Sequence, residues 1–253
     1  MKRNKEIFPD WFAKGLYTAI TIGGLILFTW GYVRWLEHSD TFTVNRIEVD
    51  GNEMLSSDEL AEEGGVTPDM NIWTVDLAGV TRQLKEHVFV SEVYIQREFP
   101  NRIKVSVEEK KPVALLNYQS KLYCLDPEGL VLPSVPNKAY DLPVISGAFQ
   151  GTLSLGQYVS GSTIGKGLQF VNTVLSDRPE LYKILSEINI YRKGLKVYLS
   201  QSGIPVTIGD EYYQMKIRSL DAVLRDLVSN NSLKQVKYIN LQYRGQVVVG
   251  MRT

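Results

Sequence analysis

The run Gly161-Ser162-Thr163-Ile164-Gly165-Lys166-Gly167 is the stretch whose composition most invites phosphate chemistry, because a glycine-rich loop turns backbone N–H groups toward an anion. Its spacing does not complete the motif. A phosphate loop needs glycine five positions before Gly165, where Ser160 stands, and Ser or Thr where Gly167 stands. The run reads instead as a glycine-rich turn entering a helix at Thr163. The acidic pairs Glu62-Glu63 and Glu108-Glu109 supply the residue types of glycosidic acid–base catalysis. Adjacent residues point to different sides of a helix or strand, however, whereas a working pair must face one scissile bond. Both pairs are expected to be solvated charges. His87 falls at a predicted helix end, where a cation offsets the helix dipole, and His38 follows a long apolar segment; neither has a nucleophile close by in sequence. Cys124 sits in an apolar alternation and is expected to be buried as a small hydrophobe.

Composition narrows the chemistry further. The 253 residues hold one cysteine and two histidines, which excludes an intramolecular disulfide and leaves too few soft ligands for a Cys/His zinc site. Lys and Arg number 28 against 28 Asp and Glu, so no net positive field is available to attract nucleic acid. With 44% hydrophobic and 22% charged residues the chain should fold. No catalytic residue, metal ligand, cofactor or small-molecule substrate is assigned.

The elements around these residues begin with an anchor. Gly15 to Val33 is 19 residues long without Asp, Glu, Lys, Arg or His, about the span of a bilayer's hydrocarbon core. A cleaved signal peptide would have a shorter apolar core and a small-residue cleavage site, whereas Trp30, Tyr32 and Trp35 crowd the far end as an interfacial belt. The reading is a cytoplasmic tail over 1–14 and a transmembrane helix over 15–35. Lys2, Arg3, Lys5 and Lys14 against Glu6 and Asp10 make the N-terminal side the basic, cytoplasmic one, so the bulk of the chain is exported. Gly15, Ala19 and Gly23 recur at helical spacing as a small-residue face.

After the anchor the pattern turns to alternation. Val44, Ile47 and Val49 lead into the turn Asp50-Gly51-Asn52. Ser56 and Glu59 then form a capping box, and Leu55 and Leu60 a hydrophobic staple, for a short helix stopped at Gly64-Gly65. A second helix is predicted from about Val75 to Glu86, with Leu77, Val80 and Leu84 on one face. Val93 and Ile95 precede the turn Phe99-Pro100-Asn101, and Ile103, Val105 and Val107 follow it as the second arm of a hairpin. The order βααββ over 42–110 gives a three-stranded sheet covered by two helices. Over 111–253 the strands shorten and multiply, interrupted by helices at about Thr163–Ser176 and Tyr212–Ser229. The chain closes with strands at Val236–Gln242 and Gln246–Met251, the last of them a natural sheet edge. The fold class is α+β: one N-terminal transmembrane helix, a βααββ domain, and a mixed β-sheet domain with flanking helices.

This order, with the runs Val44 to Asn52, Val93 to Asn101, Glu109 to Ala114, Asp126 to Leu130 and Tyr238 to Tyr243, resembles the FtsQ/DivIB family of bacterial division proteins. The family usually carries Asp and Arg where Asn240 and Gln242 stand, and Pro-Trp-Val where Val88-Phe89-Val90 stands. The resemblance implies that the βααββ unit is a POTRA domain. It implies a non-enzymatic, single-pass member of the divisome in the bacterial cell membrane at the septum. Its implied partners are FtsB/DivIC-like and FtsL-like bitopic proteins, through which it helps control septal peptidoglycan synthesis. The partner would add a strand to the last strand of the β domain, at positions matching Tyr243, Gly245, Gln246, Val248 and Met251. An unpaired edge offers backbone donors and acceptors for affinity and alternate side chains for selection. Two other expectations stand beside this one: a chaperone-like POTRA protein that binds exported polypeptides through its first sheet, and a cell-wall hydrolase.

Overall fold

The computed structural model describes residues 10–135, 138–147, 151–159, 162–200 and 202–252. The tail charges Lys2, Arg3, Lys5 and Glu6 lie outside them, as do Gly161 of the glycine-rich run and Ser160 before it. The chain folds as two units, Met1–Glu108 and Glu109–Thr253.

The first unit opens with α1 (Asp10–His38), a helix long and apolar enough to cross a membrane. β1 (Arg46–Asp50), α2 (Ser57–Glu63), α3 (Leu77–Lys85), β2 (Val90–Glu98) and β3 (Arg102–Glu109) follow in the expected βααββ order. α2 starts where the capping box places it: Glu59 N–H donates to Ser56 Oγ at 3.1 Å, and Leu55 and Leu60 are both buried. The sheet order is β1-β3-β2, with β1 parallel to β3 from Arg46↔Arg102 to Asp50↔Ser106. Ile103, Val105 and Val107 point from β3 into a core with Leu60, Ile72, Val80 and Leu84. That alternation also carries Glu109 inward, where it is 7% exposed, so the expectation that this carboxylate is a solvated charge is corrected. His87 lies just beyond α3 with its Nε2 3.8 Å from Glu63 Oε2 and its ring edge-on to Phe89.

The second unit is a nine-stranded mixed sheet. Its strands are β4 (Ala114–Tyr118), β5 (Lys121–Leu125), β6 (Val131–Leu132), β7 (Val144–Gly147), β8 (Leu185–Tyr191), β9 (Gly194–Leu199), β10 (Pro205–Gly209), β11 (Val236–Asn240) and β12 (Val248–Met251). Their spatial order is β12-β11-β10-β9-β8-β7-β4-β5-β6. The helices α4 (Ser162–Asp177), α5 (Pro179–Tyr182) and α6 (Tyr213–Ser229) complete it. Alternation along β8, β9 and β10 sends Ile188, Ile190, Leu195, Val197, Val206 and Ile208 into one core with Phe170 and Val174 of α4 and Ile217 and Leu220 of α6. Gly167 allows the close approach of α4: a Cβ there would stand 3.0 Å from Ile190 Cδ1 and 3.2 Å from Ile145 Cγ2. Within the glycine-rich run, Gly165 and Gly167 are both helical; Gly165 is exposed in open space, and Gly167 serves packing. Cys124 is buried as expected, and burial pushes its thiol pKa up, away from reactivity. The short helix α5 was not read from the sequence, since four residues carry no helical periodicity.

Candidate functional site

The nine-stranded sheet has two margins, and they are treated differently. At one, β6 is closed by its own chain: Val131 N–H donates to Gln157 O at 2.9 Å, Gly156 N–H to Val131 O at 2.9 Å and Val159 N–H to Gly129 O at 2.8 Å. At the other, β12 pairs only with β11 among the described residues, and its far side carries no strand.

Pairing with β11 is antiparallel, with Asn240↔Val248, Ile239↔Val249, Tyr238↔Gly250 and Val236↔Met251, and one extra residue in β11 between Val236 and Tyr238. β11 in turn runs parallel to β10, through Val206↔Ile239 and Thr207↔Asn240. Arg252 N–H donates back to Gln235 O at 2.6 Å. Backbone direction alternates along an antiparallel strand, so Gly250 and Val248 also face β11, while Val249 and Met251 turn their N–H and C=O groups outward. Among the described residues the free ladder positions are therefore Val249 and Met251.

Side-chain exposure does not simply follow that parity, because Met251 shares the face of Val249 but stands at the end of the strand. Val249 packs against the core, whereas Val248 and Met251 are 42% and 45% exposed. Gly250 lies under the Tyr238 ring; a Cβ there would come within 2.3 Å of Tyr238 Cε1. Val248–Met251 contains no ionisable residue. The margins of the first sheet differ: β1 reads Arg46-Ile47-Glu48-Val49-Asp50, and β2 carries Glu92, Arg97 and Glu98. Charges on an edge discourage strand addition, and Val248–Met251 carries none.

Of the five positions singled out in the sequence, Val248 and Met251 stand on β12. Tyr243, Gly245 and Gln246 do not. The strand begins at Val248, two residues later than expected, and these three form the connecting turn. There Gly245 adopts φ +71°, Gln246 N–H donates to Tyr243 O at 3.4 Å, and the Tyr243 side chain is exposed. Asn240 Oδ1 accepts from Gln242 N–H at 2.9 Å, so these two polar residues help shape the turn. The Arg244 guanidinium sits 5.1 Å from the centre of the Tyr212 ring. Sequence reasoning missed Val249, Gly250 and Tyr238. Period-two alternation was available as a signal, but its phase depends on the pairing partner.

Behind the margin, Lys216 of α6 is only 5% exposed, and its Nζ donates to Ile208 O of β10 at 2.6 Å. Burial pushes its pKa below the ordinary lysine value, against the pull of Asp210 and Glu211. Between the lowered folded value and the ordinary one the unfolded chain binds more protons, so stability should rise with pH across that window. Lys216→Met is expected to flatten this slope. It should also cost about 1–3 kcal/mol, because the Ile208 carbonyl loses its partner. Urea melts at stepped alkaline pH read both effects.

Comparison with known proteins follows the same division. Residues 42–110 match the family model described as POTRA domain, FtsQ-type, and residues 111–250 match that described as FtsQ/DivIB, C-terminal related. The chain is 27% identical over 241 residues to the cell division protein FtsQ of Geotalea daltonii, covering 92% of this chain and 86% of the relative. It is 26% identical over 215 residues to FtsQ of Syntrophotalea carbinolica, covering 83% and 74%. Against the cell division protein DivIB of Clostridium tetani it is 21% identical over 213 residues, covering 82% and 79%.

Proposed function

The chain belongs to the FtsQ/DivIB family of bacterial cell division proteins, and from this premise we propose that it is a single-pass membrane scaffold that captures a division partner by strand addition to β12. The partner is a bitopic protein of the FtsB/DivIC type, with an FtsL-like protein in the same assembly, and the outcome is control of septal peptidoglycan synthesis. α1 is the span. Lys2, Arg3, Lys5 and Lys14 hold the N-terminus in the cytoplasm, and the two folded units are exported to the division septum.

The observation that carries the reading is the contrast between the two margins of one sheet. β6 is sealed by residues 156–159, while β12 is uncharged and, among the described residues, open on its far side. An incoming strand would bond to the outward groups of Val249 and Met251. It would also meet the exposed side chains of Val248, Met251 and, at the turn, Tyr243. Tyr243 and Met251 are the apolar anchors.

Co-purification of the full chain with candidate division proteins tests this reading. Deleting the residues after Gln242 is expected to remove one partner while the first unit keeps its melting transition. In the intact complex, hydrogen exchange at the Val249 and Met251 amides should slow by one or more orders of magnitude. Exchange at these two amides that is unchanged by a bound partner would rule out strand addition here.

A further inference from the structure

α1 does not end in open solvent. An unbroken series of ring contacts runs from it into the first folded unit: Phe28 to Tyr32 at 6.5 Å, Tyr32 to Trp35 at 6.1 Å, Trp35 to Phe42 at 6.2 Å, Phe42 to Trp73 at 6.0 Å and Trp73 to Phe99 at 4.8 Å. The backbone is tied along the same line. Asn71 Nδ2 donates to Leu36 O at 2.8 Å, one of the last carbonyls of α1, and Ile72 N–H donates to Phe42 O at 2.8 Å. Arg97 of β2 holds the loop from behind, its Nε on Ile72 O and its Nη2 on Val75 O, both at 2.7 Å. The Trp73 segment is therefore fixed to the helix end and to the sheet together.

Helix geometry sets the depth of this cluster. The segment without charged residues ends at Val33, and Leu36 stands three residues further, roughly 4.5 Å along the axis at 1.5 Å per residue. A headgroup layer is roughly 5–8 Å thick on each side of the hydrocarbon core. A loop bonded to the Leu36 carbonyl thus lies within that layer. Its rings are not buried in protein: Trp35 is 57% exposed, Trp73 43% and Phe99 53%. Aromatic rings with an apolar body and a polar edge favour this zone, and a contiguous exposed aromatic patch needs something to cover it. Two cations stand at the same end of the sheet, where Arg46 pairs in register with Arg102, Asn45 N–H donates to Asn101 O at 3.1 Å, and Arg102 Nη2 also lies 3.6 Å from Glu98 Oε2.

We propose that Trp73 and Phe99, joined to Trp35 and Phe42, form a foot on which the first folded unit rests in the phospholipid headgroup layer, with Arg46 and Arg102 placed to meet lipid phosphates. The inference rests on the reading of α1 as a membrane span. The foot would hold this unit at a set angle to the bilayer instead of leaving it to swing on a flexible stalk.

The chain has four tryptophans, Trp11, Trp30, Trp35 and Trp73, and only Trp73 lies outside α1. Two single-tryptophan versions of the full chain, one keeping Trp73 and one keeping Trp30, with the others changed to Phe, separate the foot from the span. They are reconstituted in phosphatidylethanolamine–phosphatidylglycerol vesicles that contain lipid spin-labelled either near the headgroup or near the chain end. Trp73 emission should be quenched by the shallow label, less by the deep one, and be shielded several-fold from aqueous iodide. Phe99→Trp in a chain otherwise free of tryptophan gives an independent second reading and should behave alike. Trp30 quenched by lipid while Trp73 and the position-99 probe respond only to iodide overturns the foot and leaves the span standing. Loss of lipid quenching at Trp30 and Trp73 together overturns both.

Discussion

Met251→Pro is expected to weaken partner capture roughly 30- to 1,000-fold while leaving the melting of the Glu109–Thr253 unit in place. The N–H of Met251 faces away from β11, as the Arg252-to-Gln235 bond and strand parity require, so its loss breaks no bond inside the sheet. In the complex the same change leaves a partner carbonyl without its donor, at about 1–3 kcal/mol, and trims the apolar contact of an exposed methionine by about 1 kcal/mol. Together these effects come to about 2–4 kcal/mol, which gives the stated range. Val248→Pro is the informative contrast. That N–H faces β11, so the change should loosen the β11–β12 pair and show in the melt as well as in binding. Titration of the full chain with its partner, alongside calorimetry, distinguishes the two positions. Undiminished affinity in a folded Met251→Pro chain would mean that the partner does not extend this sheet.

The largest expected loss of stability lies away from the edge. Phe170 is fully buried in α4 and meets the Tyr213 ring of α6 edge-on, with centroids 5.6 Å apart and planes at 88°. Phe170→Ala removes a large side chain from between both helices and the sheet and should cost about 3–5 kcal/mol. For a unit of this size that is a drop in melting temperature of roughly 8–20 °C. Partner affinity measured well below the new transition should be close to the parent value, because neither β12 nor its outward groups depend on the ring. A fall in affinity without a fall in melting temperature would place the partner over α4 instead of at the margin. The two substitutions are thus expected to act in opposite ways, one on capture alone and one on stability alone.

The charge pattern explains why one margin can stay open. β1 and β2 in the first sheet carry Arg46, Glu48, Asp50, Glu92, Arg97 and Glu98, so an added strand would have to accommodate these ions. Some of them are engaged at home, Asp50 with Lys104 at 2.8 Å and Glu92 with Lys85 at 2.5 Å. β12 has no such protection, and its short length and the twist added by the β11 irregularity limit indiscriminate pairing.

Local periodicity was enough to read much of this protein. The uninterrupted apolar segment became α1, Ser56 and Glu59 marked the start of α2, and the alternation in Ile103, Val105 and Val107 defined β3 and its buried face. These features are written within a few residues of one another, where capping and side-chain period act directly. Burial of Glu109 followed the same alternation, yet adjacency to Glu108 suggested two solvated charges, although only one of two neighbours on a strand can face outward with the polar set.

What the sequence could not contain was the order in which distant strands meet. That β12 ends the sheet follows from β11 lying parallel to β10 across the whole of α6, a pairing between segments some thirty residues apart. The identity of the outward-facing residues depends on that register and on one extra residue in β11. Hence Val248 and Met251 were legible as apolar strand positions, while the roles of Val249, Gly250 and Tyr238 were decided only by tertiary pairing. Side-chain period is a local property of a strand, but which of its backbone groups remain free is a property of the neighbour it has found.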